Sequence, residues 1–231
     1  MHERLRARGR MPVGLLAAES LSDPAVRWEH RVSAAGAATL TITTADGLRV
    51  HGADVGAVLN RLASPPLGIL AAAAAEDRDY ARSELAAFAA SWLRALSATI
   101  VNRPDPHGLC GRWRRPLEWR TLAKTAGMPC APLALDSRDG ADPAQQFELD
   151  DRAATTVLAV DGRVLHPGVP AALHAACARL TALAATRVLG LRFDRAALSR
   201  GAWLLLGATP YPDLTLAGET GVAAIEAALA A

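Results

Sequence analysis

The sequence predicts an α/β fold in two halves joined by a polar linker. Three observations carry that expectation. Residues 77–97 hold one long amphipathic helix, with Leu85, Phe88, Trp92 and Leu96 recurring at spacings of three and four. Two Asp-Gly pairs, Asp46-Gly47 and Asp161-Gly162, each sit between β-rich runs, a hairpin signal. Strand-like and helix-like segments alternate along the chain, which is the pattern of packed sheet and helix layers.

The elements follow in order. Residues 1–10 carry four arginines and no signal-like apolar core, so a disordered tail is expected there. Residues 11–17 read as a short buried strand. Residues 23–31 read as a helix with Ser22 as cap and Pro24 in the first turn. Residues 39–44 and 48–51 form the first hairpin, and 60–67, with Pro65-Pro66, form a loop. The helix at 77–97 leads into a strand at 99–102. A second helix at 116–126 is ended by Gly127 and Pro129. The polar run 134–144 divides an N-terminal half, 11–133, from a C-terminal half, 145–231. The second hairpin spans 155–165. A helix follows at 170–185, with Leu173, Cys177 and Leu180 on one face. Strands at 188–193 and 203–206 and a closing helix at 221–230, capped by Thr220, complete the chain.

Composition narrows the function. The chain has 231 residues, 51% of them hydrophobic, enough for a sizeable core. A formal net charge of +2 argues against nucleic acid as a dedicated ligand. Lys124 is the only lysine among 25 basic residues, so a site needing a compact ammonium group has one candidate. Three dispersed cysteines fit a reducing cytoplasm better than a disulfide framework. No apolar run is long enough for a membrane span. His107 with Cys110 is too sparse for a zinc site. The cluster Arg112-Trp113-Arg114-Arg115, with Trp119 and Arg120, mixes cations and aromatics. It reads as a solvated basic face over core tryptophans, with an acidic peptide or a nucleic-acid strand as the alternative.

Several segments, in order, resemble an ATP-grasp ligase of the peptide-modifying branch, the group of graspetide (microviridin-type) macrocyclases and ribosomal-protein glutamate ligases. They are Asp77 to Glu84 with Trp92-Leu93, then Val101-Asn102-Arg103-Pro104, then Ala126-Gly127-Met128-Pro129, then Val157 to Val164, then Leu189-Gly190-Leu191 and the strand running to Asp213. The resemblance implies a truncated ATP-grasp-like architecture. A pre-ATP-grasp-like N-terminal α/β half would pack on a reduced C-terminal half of sheet and helices. It also implies magnesium held by an acid after the Gly-hydrophobic pair and by a Glu-x-Asn on the next strand. Those positions here are Arg192 and Gly207-Ala208-Thr209. A guanidinium repels the ion it should hold, and glycine offers no ligand. The phosphate-binding lysines are also missing, and too few residues lie between Pro132 and Thr155 for a full nucleotide-clasping sheet. Residues 203–211 therefore argue most directly against ATP turnover, with Trp203 expected in or near the core. Asp194 is expected as an ion-pair partner of Arg192.

The function so implied is a non-catalytic, cofactor-free and metal-free binding protein for a precursor or leader peptide in the biosynthesis of a ribosomally made, modified peptide. Modifying enzymes of the same pathway are further expected partners, and a homodimer is compatible with the sequence. The resemblance places leader contacts on the hairpin 155–166 and the helix 170–185, and points to Arg152, Arg163, His166 and Arg179. The alternative is an ATP-independent hydrolase or cyclase acting on the same peptide. His107, His166, Asp194 and Glu219 are its available acid–base groups.

Overall fold

The computed structural model describes residues 1–70, 74–96, 98–132 and 154–231. The expected linker 134–144 and Arg152 lie outside the described residues. The chain forms two compact units, Met1–Arg112 with Leu229–Ala231, and Trp113–Ala228. The division thus falls ahead of the second amphipathic helix rather than within the polar run.

The first unit begins with α1 (His2–Arg8), where the sequence suggests a disordered tail. Leu5 is buried, and Gly9 closes the helix in the left-handed region, its N–H bonded to the Arg6 carbonyl. One anchored leucine and a glycine cap outweigh the arginine-rich composition. Residues 11–17 form no strand, and Leu15 and Leu16 are exposed. Pro12 and Gly14 break the alternation a strand needs.

The helix expected over 23–31 is replaced by a turn and a strand. Asp23 Oδ1 accepts from the Ala25 amide at 2.8 Å, an Asx turn that stops the helix before it starts. The chain then enters β1 (Arg27–Val32), which pairs with β2 (Ala38–Thr43), placing Trp28 opposite Ile42. Sheet pairing overrides the local helix signal. The hairpin at Asp46-Gly47 forms as expected: β2 pairs antiparallel with β3 (Arg49–His51), and Gly47 has φ 85. A parallel pair of β4 (Ala57–Leu59) and β5 (Thr99–Val101) follows, joined through α2 (Ala75–Ala95). The sequence does not reveal β4, because three residues are too few to show a period. On α2, Ala89 and Leu93 are buried and Phe88 and Trp92 stack on Trp28, with ring centroids 5.7 and 5.9 Å away. Leu40, Leu93, Leu96, Ala98 and Ile100 make the core of this unit.

In the second unit, α3 (Pro116–Thr125) starts at Pro116 in the first turn and ends before Gly127, at φ 76. A four-stranded antiparallel sheet follows in the order β7-β6-β8-β9, built from β6 (Ala154–Val160), β7 (Arg163–Val164), β8 (Val188–Asp194) and β9 (Leu205–Thr209). The last strand begins two residues later than expected. Trp203 precedes it, partly buried, its ring edge-on to Phe193 at 5.0 Å. Helix α4 (Ala171–Ala184) links β7 to β8, the four-residue α5 (Arg195–Leu198) links β8 to β9, and α6 (Gly218–Ala230) closes the chain, three residues earlier than Gly221.

Register assigns the sheet faces, because residues opposite one another in antiparallel strands share a side. Val157, Leu191 and Ala208 align. They join Trp119, Ala123, Cys177, Leu180, Phe193 and Leu205 in one core beneath α3 and α4. Thr156, Arg192 and Gly207 align on the other face, as do Leu158, Gly190 and Thr209. Arg192 opposes Gly207 while Phe193 opposes Leu205, so Leu206 is the extra residue of a bulge.

Candidate functional site

The hairpin β6–β7 and helix α4 form the first candidate. Asp161 and Gly162 have φ 47 and 77, both positive, as a two-residue primed turn requires. A side chain at Gly162 would bring its Cβ within 3.1 Å of Ala178 Cα, so glycine lets the hairpin tip lie against α4. Arg187, just before β8, clamps the tip. Its Nε and Nη2 donate to the two carboxylate oxygens of Asp161 at 2.7 and 2.8 Å. The Asp161 amide in turn donates to the Arg187 carbonyl at 2.7 Å. The Asp161 hydrogen bond pushes the Arg187 guanidinium further into its charged range.

Beside this clamp lies a concavity of ≈ 320 Å³ lined by Asp161, Gly162, Ala178, Ala182, Ala185 and Arg187, among others. The Thr181 and Thr186 hydroxyls at its edge donate to the carbonyls of Cys177 and Ala184. The wall is otherwise methyl groups, with Leu183 44% exposed on the same helix. Such a surface suits an apolar segment whose polar end meets the Asp161–Arg187 pair.

No hydrogen bond or ring contact joins the expected peptide contacts Arg163, His166 and Arg179 to one another among the described residues. Arg163 is exposed on β7 and has no bonded partner among the described residues. His166 is exposed, but its Nδ1 accepts from the Gly168 amide at 3.1 Å and its ring meets Trp203 edge-on at 6.0 Å. Arg179 donates Nε to the Ala126 carbonyl at 3.0 Å, satisfying the C-terminus of α3. It sits eight residues into α4, about 12 Å along the axis from that helix's start. Asp161 and Arg187 are not among the expected contacts. Asp161 is legible only as a turn residue, and Arg187 carries no local signal.

The second candidate is the sheet face holding the expected metal positions. Arg192 on β8 lies directly across from Gly207 on β9, so the two positions form one cross-strand pair. Thr209 faces Gly190, and its hydroxyl oxygen accepts from the Tyr211 amide at 3.1 Å. Asp194 is not the counter-ion of Arg192. Its Oδ1 accepts from the amides of Ala196 and Ala197 at 2.8 and 3.1 Å, which makes it the N-cap of α5. A guanidinium, an absent side chain and a committed hydroxyl do not fit a magnesium ion. No group of three or more His, Cys, Asp or Glu side chains is placed to hold a metal among the described residues.

The remaining acid–base groups stay apart. His107 Nδ1 lies 3.0 Å from Asp105 Oδ1 in an exposed turn. No hydrogen bond or ion pair joins His107, His166 and Asp194 among the described residues. In the basic–aromatic cluster, Trp119 is 2% exposed and Arg114 stacks over it at 5.1 Å, while donating to the Ala184 carbonyl at 3.1 Å. The core reading of that cluster holds for Trp119, whereas Trp113 is 46% exposed. No helix among the described residues is long and apolar enough to cross a membrane.

Comparison with protein-family models and with curated proteins returns no match. Solved structures do match. The macrocyclase MdnC bound with precursor peptide MdnA, from Microcystis aeruginosa MRC, aligns with TM-score 0.68 at 10% identity, covering 100% of this chain and 94% of that one. The macrocyclase MdnB from the same organism aligns with TM-score 0.62 at 15% identity, over 99% and 91%. The ATP-grasp ligase PsnB complexed with minimal precursor aligns with TM-score 0.61 at 14% identity, over 98% and 93%. At these identities the likeness establishes architecture, and the architecture of this chain is that of the ATP-grasp ligases.

Proposed function

We propose that this chain recognises a precursor or leader peptide in the making of a ribosomally synthesised, modified peptide, and does so without ATP-dependent chemistry. The observation that carries the second clause is the β8–β9 register. It pairs Arg192 with Gly207, so the expected acid and the expected Glu are missing from one and the same pair. Two departures that are separate in sequence thus fall on one cross-strand pair. The first clause is supported by the fold, since MdnC and PsnB are both found with precursor peptides. The clamped hairpin and the methyl-lined concavity beside α4 supply a surface of suitable character.

Titration of a fluorescently labelled leader, taken from a precursor encoded beside this chain, tests the binding. Saturable anisotropy is expected, and a flat signal up to about 50 µM protein would sink the proposal. Thermal melting with Mg-ATP tests the other clause. A ligand that binds only the folded state must raise the Tm. An unchanged Tm is expected, and a rise of several degrees would restore nucleotide binding.

A further inference from the structure

The first unit contains a second groove that the peptide-binding proposal does not use. It has a volume of ≈ 650 Å³ and runs between the β1–β2 hairpin and the last turns of α2, lined by His30, Val32, Ala38, Ser91, Arg94 and Pro106, among others. Val32 and Ala38 are cross-strand partners, and His30 is two residues before Val32, so all three share a sheet face. Ser91 and Arg94 are three residues apart on α2 and share a helix face. The polar groups of the groove are therefore brought together by two regular elements.

His30 Nε2 and Ser91 Oγ lie 3.0 Å apart. A serine bonded to a histidine can be a nucleophile with its base, or a hydroxyl oriented by a donor. The other ring nitrogen decides between them. His30 Nδ1 is buried and has no hydrogen-bond partner among the described residues. A proton placed there would be an orphaned buried N–H, which is rarer and costlier than an under-used acceptor. The neutral ring therefore carries its proton on Nε2 and donates to Ser91 Oγ. The serine's own proton is then directed elsewhere, and Ser91 makes no other hydrogen bond among the described residues. Among the described residues Arg94, one turn on, commits only Nη1, to the Pro104 carbonyl at a long 3.4 Å. No acidic side chain among the described residues lines the groove. Of the acids adjacent in sequence to its lining, Asp105 beside Pro106 is bonded to the amide and the ring of His107, and Glu29 beside His30 lies 3.6 Å from the Arg31 guanidinium.

We propose that this groove binds a carboxylate, presented as the Glu or Asp side chain of a peptide, with the Ser91 hydroxyl and the Arg94 guanidinium as its donors. A planar carboxylate matches a single guanidinium fork plus one hydroxyl. A phosphate dianion, with more charge to neutralise, is served poorly by one arginine. The apolar walls Val32, Ala38 and Pro106 leave room for the stem of the acid and for a neighbouring side chain. His30 is a positioning residue, since it fixes which way the serine donates. The proposal is independent of the hairpin–α4 surface and uses residues of the first unit alone.

The test is an NMR titration of the full chain with acetyl-Glu-Leu-amide, alongside acetyl-Gln-Leu-amide, acetate and inorganic phosphate. The Glu probe is expected to shift the amide signals of Val32, Ser91 and Arg94 saturably. The Gln probe should bind at least about tenfold more weakly, because it removes the charge from the hydrogen bonds. Acetate should bind more weakly than the Glu probe but at the same signals. The exposed variants Arg94→Gln and Ser91→Ala should weaken the Glu probe by about tenfold and about fivefold while leaving the spectrum folded. A long-range ¹H–¹⁵N spectrum should show His30 with its proton on Nε2. No shift with the Glu probe at about 10 mM, equal binding of the Gln probe, phosphate binding as tightly as the Glu probe, or an Nδ1-protonated His30 would each overturn the proposal.

Discussion

Breaking the clamp between Asp161 and Arg187 should loosen the tip of the β6–β7 hairpin by about 0.5–1 kcal/mol. The side chains are 42% and 31% exposed, so water screens the pair and its worth is that of a good surface ion pair. At a water-like dielectric, charge centres about 4 Å apart attract by about 1 kcal/mol. The second parallel hydrogen bond, 2.7 Å beside 2.8 Å, adds to this, while ordering the long arginine subtracts a comparable amount. The variants should be Asp161→Asn and Arg187→Gln, singly and together. Asparagine tolerates the left-handed backbone at φ 47, whereas alanine there would add about 1 kcal/mol of unrelated strain. Urea unfolding of the four proteins closes a double-mutant cycle, and the coupling should shrink in 1 M salt. A coupling below about 0.3 kcal/mol would refute the clamp and leave the main-chain bond from Asp161 to Arg187 as the only tie.

Other outcomes follow from single positions. Gly190→Ala would set a Cβ 2.8 Å from Pro212 Cβ and 2.9 Å from Thr209 Cγ2, and should cost about 1–3 kcal/mol in a urea melt. Trp119→Ala empties the core beneath α3 and removes the platform for Arg114, a loss of about 3–5 kcal/mol measurable the same way. Burial pushes the Cys110 and Cys177 thiols up to about 11, and both are fully buried. Mass spectrometry after brief alkylation at neutral pH should therefore find the label on half-buried Cys130 first. Partial burial alone would push the Asp105 carboxyl up, but the His107 amide and ring outweigh it and hold it below the ordinary value. Its contribution is therefore complete above the unfolded carboxylate value near pH 4 and is lost as pH falls through the lower folded value. Asp105→Asn should flatten that acid limb in melts recorded from about pH 5 to pH 2.

The fold was legible where one signal acted alone. Asp46-Gly47 and Asp161-Gly162 mark both hairpins because each turn needs a residue of positive φ, which glycine adopts freely, and at Asp161 the aspartate adopts it as well. The helices α2, α3 and α4 show their period over ten residues or more. The failures lie where a local preference met a tertiary partner. Pro24 after Ser22 promises a helix, but the edge of β2 captures Trp28 and His30, and the Asp23 side chain turns the chain toward it. Leu5 has no periodic neighbours, so only its burial reveals that α1 is anchored. Arg179 is expected as a peptide contact from the resemblance, and the sequence does not show that its guanidinium also serves the end of α3.

The expected metal positions behave differently, because they come from a resemblance and only the register relates them to one another. In the sequence, Arg192 and Gly207 are fifteen residues apart and read as two departures that could have arisen separately. The β8–β9 ladder places them opposite one another, and the bulge at Leu206 follows immediately. A single introduced carboxylate does not then make a ligand pair. An acid at 192 alone would face a glycine, and a carboxylate at 207 alone would face a guanidinium and be drawn into an ion pair with it. Magnesium affinity is therefore expected only in a variant changed at both positions. The pairing ties the two positions chemically, because what stands at one sets the charge that the other meets across the ladder.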